Sequence, residues 1–238
     1  MNWKQVFNSS IGKKIIMALT GLFLIVFLLV HMYVNANVFF SNGEENFNRA
    51  AHFMGTNILI RIMEIGLFAG FILHIVQGYM LTASNRAKRS SKYLVNAGNK
   101  TSTWYSRSMA LLGTLILLFL IIHIAHFWVP SRFGGLQEVT YAGSKVIYHN
   151  LYGRMKDIFT QEWVVILYVL GCFSLSWHLL HGFQSAFQTM GWTSRKYFPL
   201  INNLGTAFSI VIPLIFALMP LFLYFGWEIP SGGLTLLF

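Results

Sequence analysis

Four histidines of this chain lie deep inside long apolar segments, one in each of four segments. They are His31, His74, His123 and His178. A histidine surrounded by hydrocarbon is costly, so such a residue usually marks a functional site in a membrane protein. Imidazole can be an axial ligand of haem iron, and it can also relay protons. The four positions therefore predict either haem binding or a proton pathway.

The composition indicates that these apolar segments cross a membrane. Of the 238 residues, 55% are hydrophobic and only 10% are charged, and the mean hydropathy is +0.58. A soluble domain has about a quarter of its residues charged. The length predicts a single membrane domain over 1–238. Because Cys172 is the one cysteine of the sequence, a disulfide framework and cysteine ligation of an iron–sulfur cluster within this chain are excluded.

Five apolar segments are long enough to span a bilayer as helices, which takes about 20 residues each. The predicted spans are 15–36, 58–82, 108–129, 162–185 and 204–227. The predicted fold is therefore an all-α integral membrane protein with a bundle of five transmembrane helices.

The distribution of basic residues predicts the orientation of the bundle. The N-terminal tail and the loops 83–107 and 186–203 carry 11 basic residues and no acidic residue. The positive-inside rule then places the N-terminus in the cytoplasm and the C-terminus outside. The net charge of +10 is explained by these flanking residues and their contact with membrane lipid, so nucleic acid is not an expected partner.

The depths of the four histidines predict which of them meet. His31 and His123 lie about 16 and 15 residues into spans that start inside, which puts both in the outer half of the membrane. His74 and His178 lie about 16 residues into spans that start outside, so both are in the inner half. A haem iron needs two axial ligands at one height on facing helices. The pattern predicts two haem b groups, an outer one and an inner one.

Alternatives remain open at several positions. His126 and His181 lie one turn beyond His123 and His178, so each could be the ligand instead, or could bond a haem propionate or water. A lone histidine in a span is more often a hydrogen-bonded interior residue. Gly113, like other glycines of the spans, could admit a flat macrocycle or only permit close packing.

Four motifs carry a resemblance to a known family. They are FLLVHMYVNANVFF around His31, GFILHIVQGY around His74, WYSRSM followed by LIIHIAHFW before and around His123, and SWHLLHGFQSAFQTMGW around His178. The chain resembles, over nearly its whole length, the cytochrome b subunit of succinate:quinone oxidoreductases of the five-helix, two-haem type. These subunits anchor succinate dehydrogenases and fumarate reductases to the membrane.

The resemblance implies a function and a set of partners. The family pairs the first span with the third and the second with the fourth, and its motif spacing selects His178 over His181. A flavoprotein and an iron–sulfur subunit on the cytoplasmic side act on succinate, while this chain connects them to a quinone, with menaquinone expected because two haems suit delivery across the membrane. The expected location is the bacterial cytoplasmic (inner) membrane. Some fumarate reductases carry a glutamate where this chain has Ser176, which favours a succinate dehydrogenase.

Two further residues are candidates by position. Arg107 lies at the mouth of the third span within the family signature and could hold a haem propionate in a bidentate pair. Glu64 lies inside the second span near its outer end, where it could transfer protons at a quinone site. The alternative for Glu64 is a structural ion pair with Arg61, three residues away. The segment 130–161 receives no functional prediction.

Two rival functions remain. The first is the dihaem anchor of a different membrane oxidoreductase, which would leave the Ser-Arg-Ser-Met sequence at 106–109 unexplained. The second is a haem-free transporter whose histidines relay protons. Such a transporter is expected to show internal repeats or broken helices at the midplane, and Pro213 and Pro220 in the fifth span are weak signs of this.

Overall fold

The structure is a computed structural model that describes residues 9–87 and 103–227. Five basic residues of the predicted cytoplasmic face lie outside the described residues: Lys4, Lys88, Arg89, Lys92 and Lys100.

The described chain is almost entirely helical. In chain order the helices and strands are α1 (Ser10–Asn35), a 3-10 helix (Ala36–Phe39), α2 (Gly43–Thr56), α3 (Ile58–Ala87), α4 (Trp104–Arg107), α5 (Met109–His123), a π-helix (Ile124–Trp128), α6 (Val129–Phe133), β1 (Glu138–Val139), β2 (Tyr148–His149), α7 (Leu151–Phe159), α8 (Glu162–Thr189) and α9 (Phe198–Tyr224).

Five helical stretches are long and apolar enough to cross a membrane, which confirms the predicted all-α multi-pass membrane protein. They are Ser10–Phe39, Ile58–Ala87, Met109–Phe133, Glu162–Thr189 and Phe198–Tyr224. The fifth begins six residues before the predicted start, because Pro199 in its first turn needs no backbone donor. It ends where Gly226 adopts a φ of 61° and the Trp227 N–H donates to the Phe222 carbonyl at 3.2 Å.

The chain divides into two compact units, and each contains a part of every spanning helix. The first unit comprises Met1–Phe27, Ile65–Leu115 and Ser174–Val211. It contains His74 and His178. The second comprises Leu28–Glu64, Ile116–Phe173 and Ile212–Phe238, and it contains His31 and His123.

Much of the segment 130–161 is ordered structure that packs within the second unit. The strands β1 and β2 form an antiparallel hairpin in which Glu138 pairs with His149 and Val139 with Tyr148. A buried cluster then joins α2 and α7 to the start of α8. Its buried members are Val38, Phe47, Met155, Ile158, Phe159, Val164, Val165 and Tyr168.

A fully buried asparagine links α2 to this segment. The Asn48 side-chain amide donates to the Tyr141 hydroxyl at 2.7 Å and to Asn150 Oδ1 at 3.1 Å. Its own oxygen accepts from the Tyr152 N–H at 3.0 Å. Partial burial, with Glu44 and Glu45 nearby, raises the pKa of Tyr141, so this hydroxyl stays protonated at neutral pH.

We expect Asn48→Ala to loosen the segment 134–161. The substitution removes three hydrogen bonds and leaves a buried N–H without its acceptor, at a cost on the order of 2–3 kcal/mol. Faster amide hydrogen exchange across 138–159 in detergent would report this loss. Glu44→Ala, an exposed position of the same helix, serves as the control and is expected to leave exchange unchanged. Equal exchange in the two variants would contradict the role given to Asn48.

Candidate functional site

The four intramembrane histidines form two facing pairs, one in each unit. In the second unit the ring centroids of His31 and His123 are 5.8 Å apart, with an angle of 84° between the ring planes. In the first unit those of His74 and His178 are 6.1 Å apart, at 63°. These are the pairs that depth predicted.

The separations match two axial ligands of one iron. A metal–imidazole bond is about 2 Å and the ring centroid lies about 1.1 Å further, so two opposed ligands have centroids about 6.2 Å apart. Packed aromatic rings have centroids about 4.5–7 Å apart, so the distance alone fits both explanations. The surroundings of the rings distinguish between them.

Hydrogen bonding does not account for two of these histidines. The Nδ1 atoms of His123 and His178 are buried and have no hydrogen-bond partner among the described residues. An interior histidine that serves only to join helices would use such an atom, because a buried unpaired polar group costs about 1–3 kcal/mol. A hydrogen bond from Nδ1 to another described residue therefore does not explain these two rings, whereas metal ligation through Nε2 suits a neutral imidazole.

Aromatic residues surround the histidine pair of the second unit. The His31 ring lies 5.5 Å from the Phe216 ring, and the His123 ring lies 5.5 Å from the Phe119 ring. All four histidines are only partly buried. Residues 9–87 and 103–227 contain no cluster of three or more metal-ligating side chains. A haem needs none, because the macrocycle supplies the remaining nitrogens.

Two glycines lie against the rings of the first unit. A Cβ atom built on Gly21 would be 3.5 Å from Cε1 of His74, and one built on Gly113 would be 3.6 Å from Cε1 of His178. Each distance is ordinary contact for a methyl group, but a longer side chain would displace the ring. Gly113 therefore stands beside a histidine ring, and so does Gly21, which was not predicted from the sequence.

His126 occupies a different environment from His123. Its Nδ1 is 3.0 Å from the Tyr168 hydroxyl, and its ring is nearly parallel to the tyrosine ring, at 5°. It belongs to the π-helix Ile124–Trp128, a rare conformation that often occurs at functional sites. The Arg154 Nε–H donates to the His126 carbonyl at 3.2 Å, so the segment 130–161 reaches this site. The sequence predicted neither the π-helix nor this contact.

His181 and Arg107 lie in the first unit. His181 makes no ring contact with His74 within the described part of the chain, whereas His178 does. Arg107 is exposed and ends the short helix α4, immediately before the third span.

Glu64 is the centre of an ion-pair cluster in the second unit. Arg132 donates from Nε to Oε1 at 3.1 Å and from a terminal nitrogen to Oε2 at 3.0 Å. Arg61 donates to Oε2 at 2.8 Å, and the Trp128 indole N–H donates to Oε1. These four bonds use the acceptor positions of the carboxylate. The Arg61 pair was the predicted alternative, but Arg132 and Trp128 were not predicted as partners.

The two arginines are expected to contribute unequally to stability. The side chain of Arg132 is 22% exposed and that of Arg61 is 42% exposed. Arg132→Met should cost on the order of 3 kcal/mol, because it leaves a mostly buried carboxylate underpaired. Arg61→Met should cost about 0–1 kcal/mol, because water screens an exposed pair. Denaturant unfolding in detergent measures both losses, and equal values would be inconsistent with this geometry.

Comparison with known proteins agrees with the resemblance seen in the motifs. The chain is 27% identical over 190 residues to the succinate dehydrogenase cytochrome b558 subunit of Bacillus subtilis (strain 168), covering 79% of this chain and 81% of that protein. No family model matches the chain, and no solved structure matches it. With its five spanning helices, this similarity supports the predicted multi-pass protein of the bacterial inner membrane. The chain is thus similar to a succinate dehydrogenase cytochrome b subunit.

Proposed function

We propose that this chain is the dihaem cytochrome b anchor of a succinate dehydrogenase complex and passes electrons between the iron–sulfur subunit and a membrane quinone. The observation that carries the proposal is the presence of two facing histidine pairs on four spanning helices, at 5.8 and 6.1 Å. The similarity to the Bacillus subtilis subunit supports the choice of complex.

In this proposal His74 and His178 hold the inner haem b, and His31 and His123 hold the outer one. Bound haem supplies one-electron redox chemistry. The protein keeps the ligand rings at a fixed separation and keeps water out with its apolar helices. His126 is a less suitable ligand, because the ring that faces His31 is that of His123, whereas the His126 ring lies parallel to Tyr168.

The proposed sidedness follows from the basic residues of the sequence. The N-terminus and the loop containing Arg107 face the cytoplasm, where the iron–sulfur subunit docks and the flavoprotein binds to it. Arg107 would hold a propionate of the inner haem. The two haems, held by these four histidines, would supply the one-electron carriers between the iron–sulfur subunit and a quinone, with menaquinone as the expected acceptor. Fumarate reduction would use the reverse direction.

The environment of Ser176 supports succinate oxidation over the glutamate-bearing fumarate reductases. The Ser176 hydroxyl donates to the Ser209 carbonyl at 2.7 Å. That carbonyl stands four residues before Pro213, which has no N–H to donate to it. Ser176 therefore fills a gap in the hydrogen bonding of α9, and this chain has no carboxyl group at position 176 to carry a proton.

The first test of this proposal is ligand removal. His31→Ala or His123→Ala should remove one low-spin haem, and His74→Ala or His178→Ala should remove the other. His126→Ala should keep both, because His123 and not His126 faces the His31 ring. Reduced-minus-oxidised absorption spectra with haem quantification measure these outcomes. Retention of two haems in His123→Ala with loss of one in His126→Ala would refute the ligand assignment.

The complex itself is tested by purification. We expect a tagged chain to co-purify with a flavoprotein and an iron–sulfur subunit and to catalyse succinate-dependent quinone reduction. Purified protein without haem absorption would instead favour the transporter. Haem absorption together with co-purified subunits of another oxidoreductase would favour the alternative function as the dihaem anchor of that enzyme.

We also propose Glu64 as the proton-transfer group of a quinone site near the outer haem. Reduction of one quinone takes two electrons from the haem and two protons from the outer aqueous phase. Because four hydrogen bonds occupy the carboxylate, it can accept a proton only if one partner leaves. Arg61, the more exposed arginine, is the partner that can separate most easily.

Glu64→Gln preserves the shape of the side chain and removes the base. We expect both haems and dye-linked succinate oxidation to remain, while quinone-linked turnover falls at least tenfold. Asp157→Asn, outside the cluster, is the control. Normal quinone turnover in Glu64→Gln would eliminate Glu64 from proton transfer.

A further inference from the structure

A threonine of the first span contacts a histidine of the second span within the first unit. Oγ1 of Thr20 lies 3.2 Å from Nδ1 of His74. The same oxygen lies 2.8 Å from the carbonyl oxygen of Ile16 and 3.1 Å from that of Met17. Nothing in the sequence motifs singled out Thr20.

The threonine geometry favours one tautomer of His74. A hydroxyl has one hydrogen to donate, and a carbonyl can only accept. The Ile16 carbonyl, at 2.8 Å, is nearer to Oγ1 of Thr20 than Nδ1 of His74 is, at 3.2 Å. When Thr20 donates to that carbonyl, its oxygen is an acceptor toward His74 and Nδ1 carries the ring proton. In a neutral imidazole Nε2 then keeps a free lone pair, which is the form that binds a metal.

The neighbouring residue leaves space for the same ring. A Cβ built on Gly21 would lie 3.5 Å from Cε1 of His74, so a side chain longer than a methyl group at position 21 would meet the ring. Thr20 thus contacts Nδ1 of His74 while Gly21 leaves the Cε1 side of the ring clear.

Comparable contacts are weaker or absent at the other histidines. Nδ1 of His178 and of His123 has no hydrogen-bond partner within 9–87 and 103–227. The Asn35 amide lies 3.5 Å from Nδ1 of His31, at the limit of a hydrogen bond, and it also donates to the His31 carbonyl at 2.8 Å. The Thr20 contact with Nδ1 of His74 is thus shorter than the Asn35 contact with Nδ1 of His31.

We infer that Thr20 is a positioning residue for the inner haem and sets its redox potential. This inference rests on the proposed function. A hydrogen bond accepted from Nδ1–H makes the imidazole a stronger electron donor. A stronger donor stabilises the oxidised iron more than the reduced iron, so Thr20 lowers the potential of the haem held by His74 and His178.

The test compares Thr20→Val with Thr20→Ser in the complete complex. Valine keeps the shape of threonine and removes the acceptor, while serine keeps the hydroxyl. Each variant is also combined with His123→Ala, which isolates the inner haem for redox titration. We expect a raised midpoint potential of the inner haem in Thr20→Val, a value near wild type in Thr20→Ser, and no change at the outer haem. Loss of the inner haem alone in Thr20→Val, with retention in Thr20→Ser, would also support the inference.

Several results would overturn it. Unchanged potentials in Thr20→Val, equal shifts in the two variants, or a shift in the opposite direction would each do so. Loss of both haems from Thr20→Val would also overturn it, because the hydroxyl would then stabilise the whole fold and would not act on His74 alone. A wild-type complex without haem, by contrast, would reject the proposed function, so the two failures are distinguishable.

Discussion

The cost of placing imidazole in hydrocarbon governs the rest of this structure. A helix can satisfy its own backbone inside a membrane, but it offers a buried imidazole nitrogen no partner. Each such nitrogen must find a hydrogen bond, water or a metal. Nδ1 of His74 has a hydrogen-bond partner in the Thr20 hydroxyl, whereas Nδ1 of His178 has no partner in the described chain. The facing arrangement of the rings would let one iron engage the Nε2 atoms of two of them at once.

The surroundings of the histidine rings differ between the two units. Glycine and not a larger residue stands beside the rings of His74 and His178. In the second unit the His123 ring lies 5.9 Å from the ring of Tyr168, a member of the buried cluster that joins α2, α7 and α8. The histidine pair of that unit is thus held beside its packed part.

Sequence reasoning predicted the spans and the histidine pairing because both depend on position along a helix. A rise of about 1.5 Å per residue converts residue number into depth. It predicted poorly whatever depends on rotation about the helix axis and on contacts distant in sequence. The Arg132 bond to Glu64 joins residues 68 positions apart. Thr20 is similarly 54 positions from His74, and no local pattern marks such pairs. The hairpin of 138–149 was missed because its two strands have only two residues each.

The π-helix at Ile124–Trp128 has a consequence for related sequences. A π-turn accommodates one residue more than an α-turn, and each residue of an α-helix rotates the chain by about 100°. Without the extra residue, Trp128 and Arg132 would be rotated about the axis of the third span and would point away from Glu64. His123 precedes the π-helix, so its side chain would keep its direction. A relative with a regular α-helix here should therefore align with a single-residue gap just after its histidine. It should also lack an ion pair equivalent to Arg132–Glu64. The extra residue of the π-helix and this ion pair are therefore expected to be inherited together.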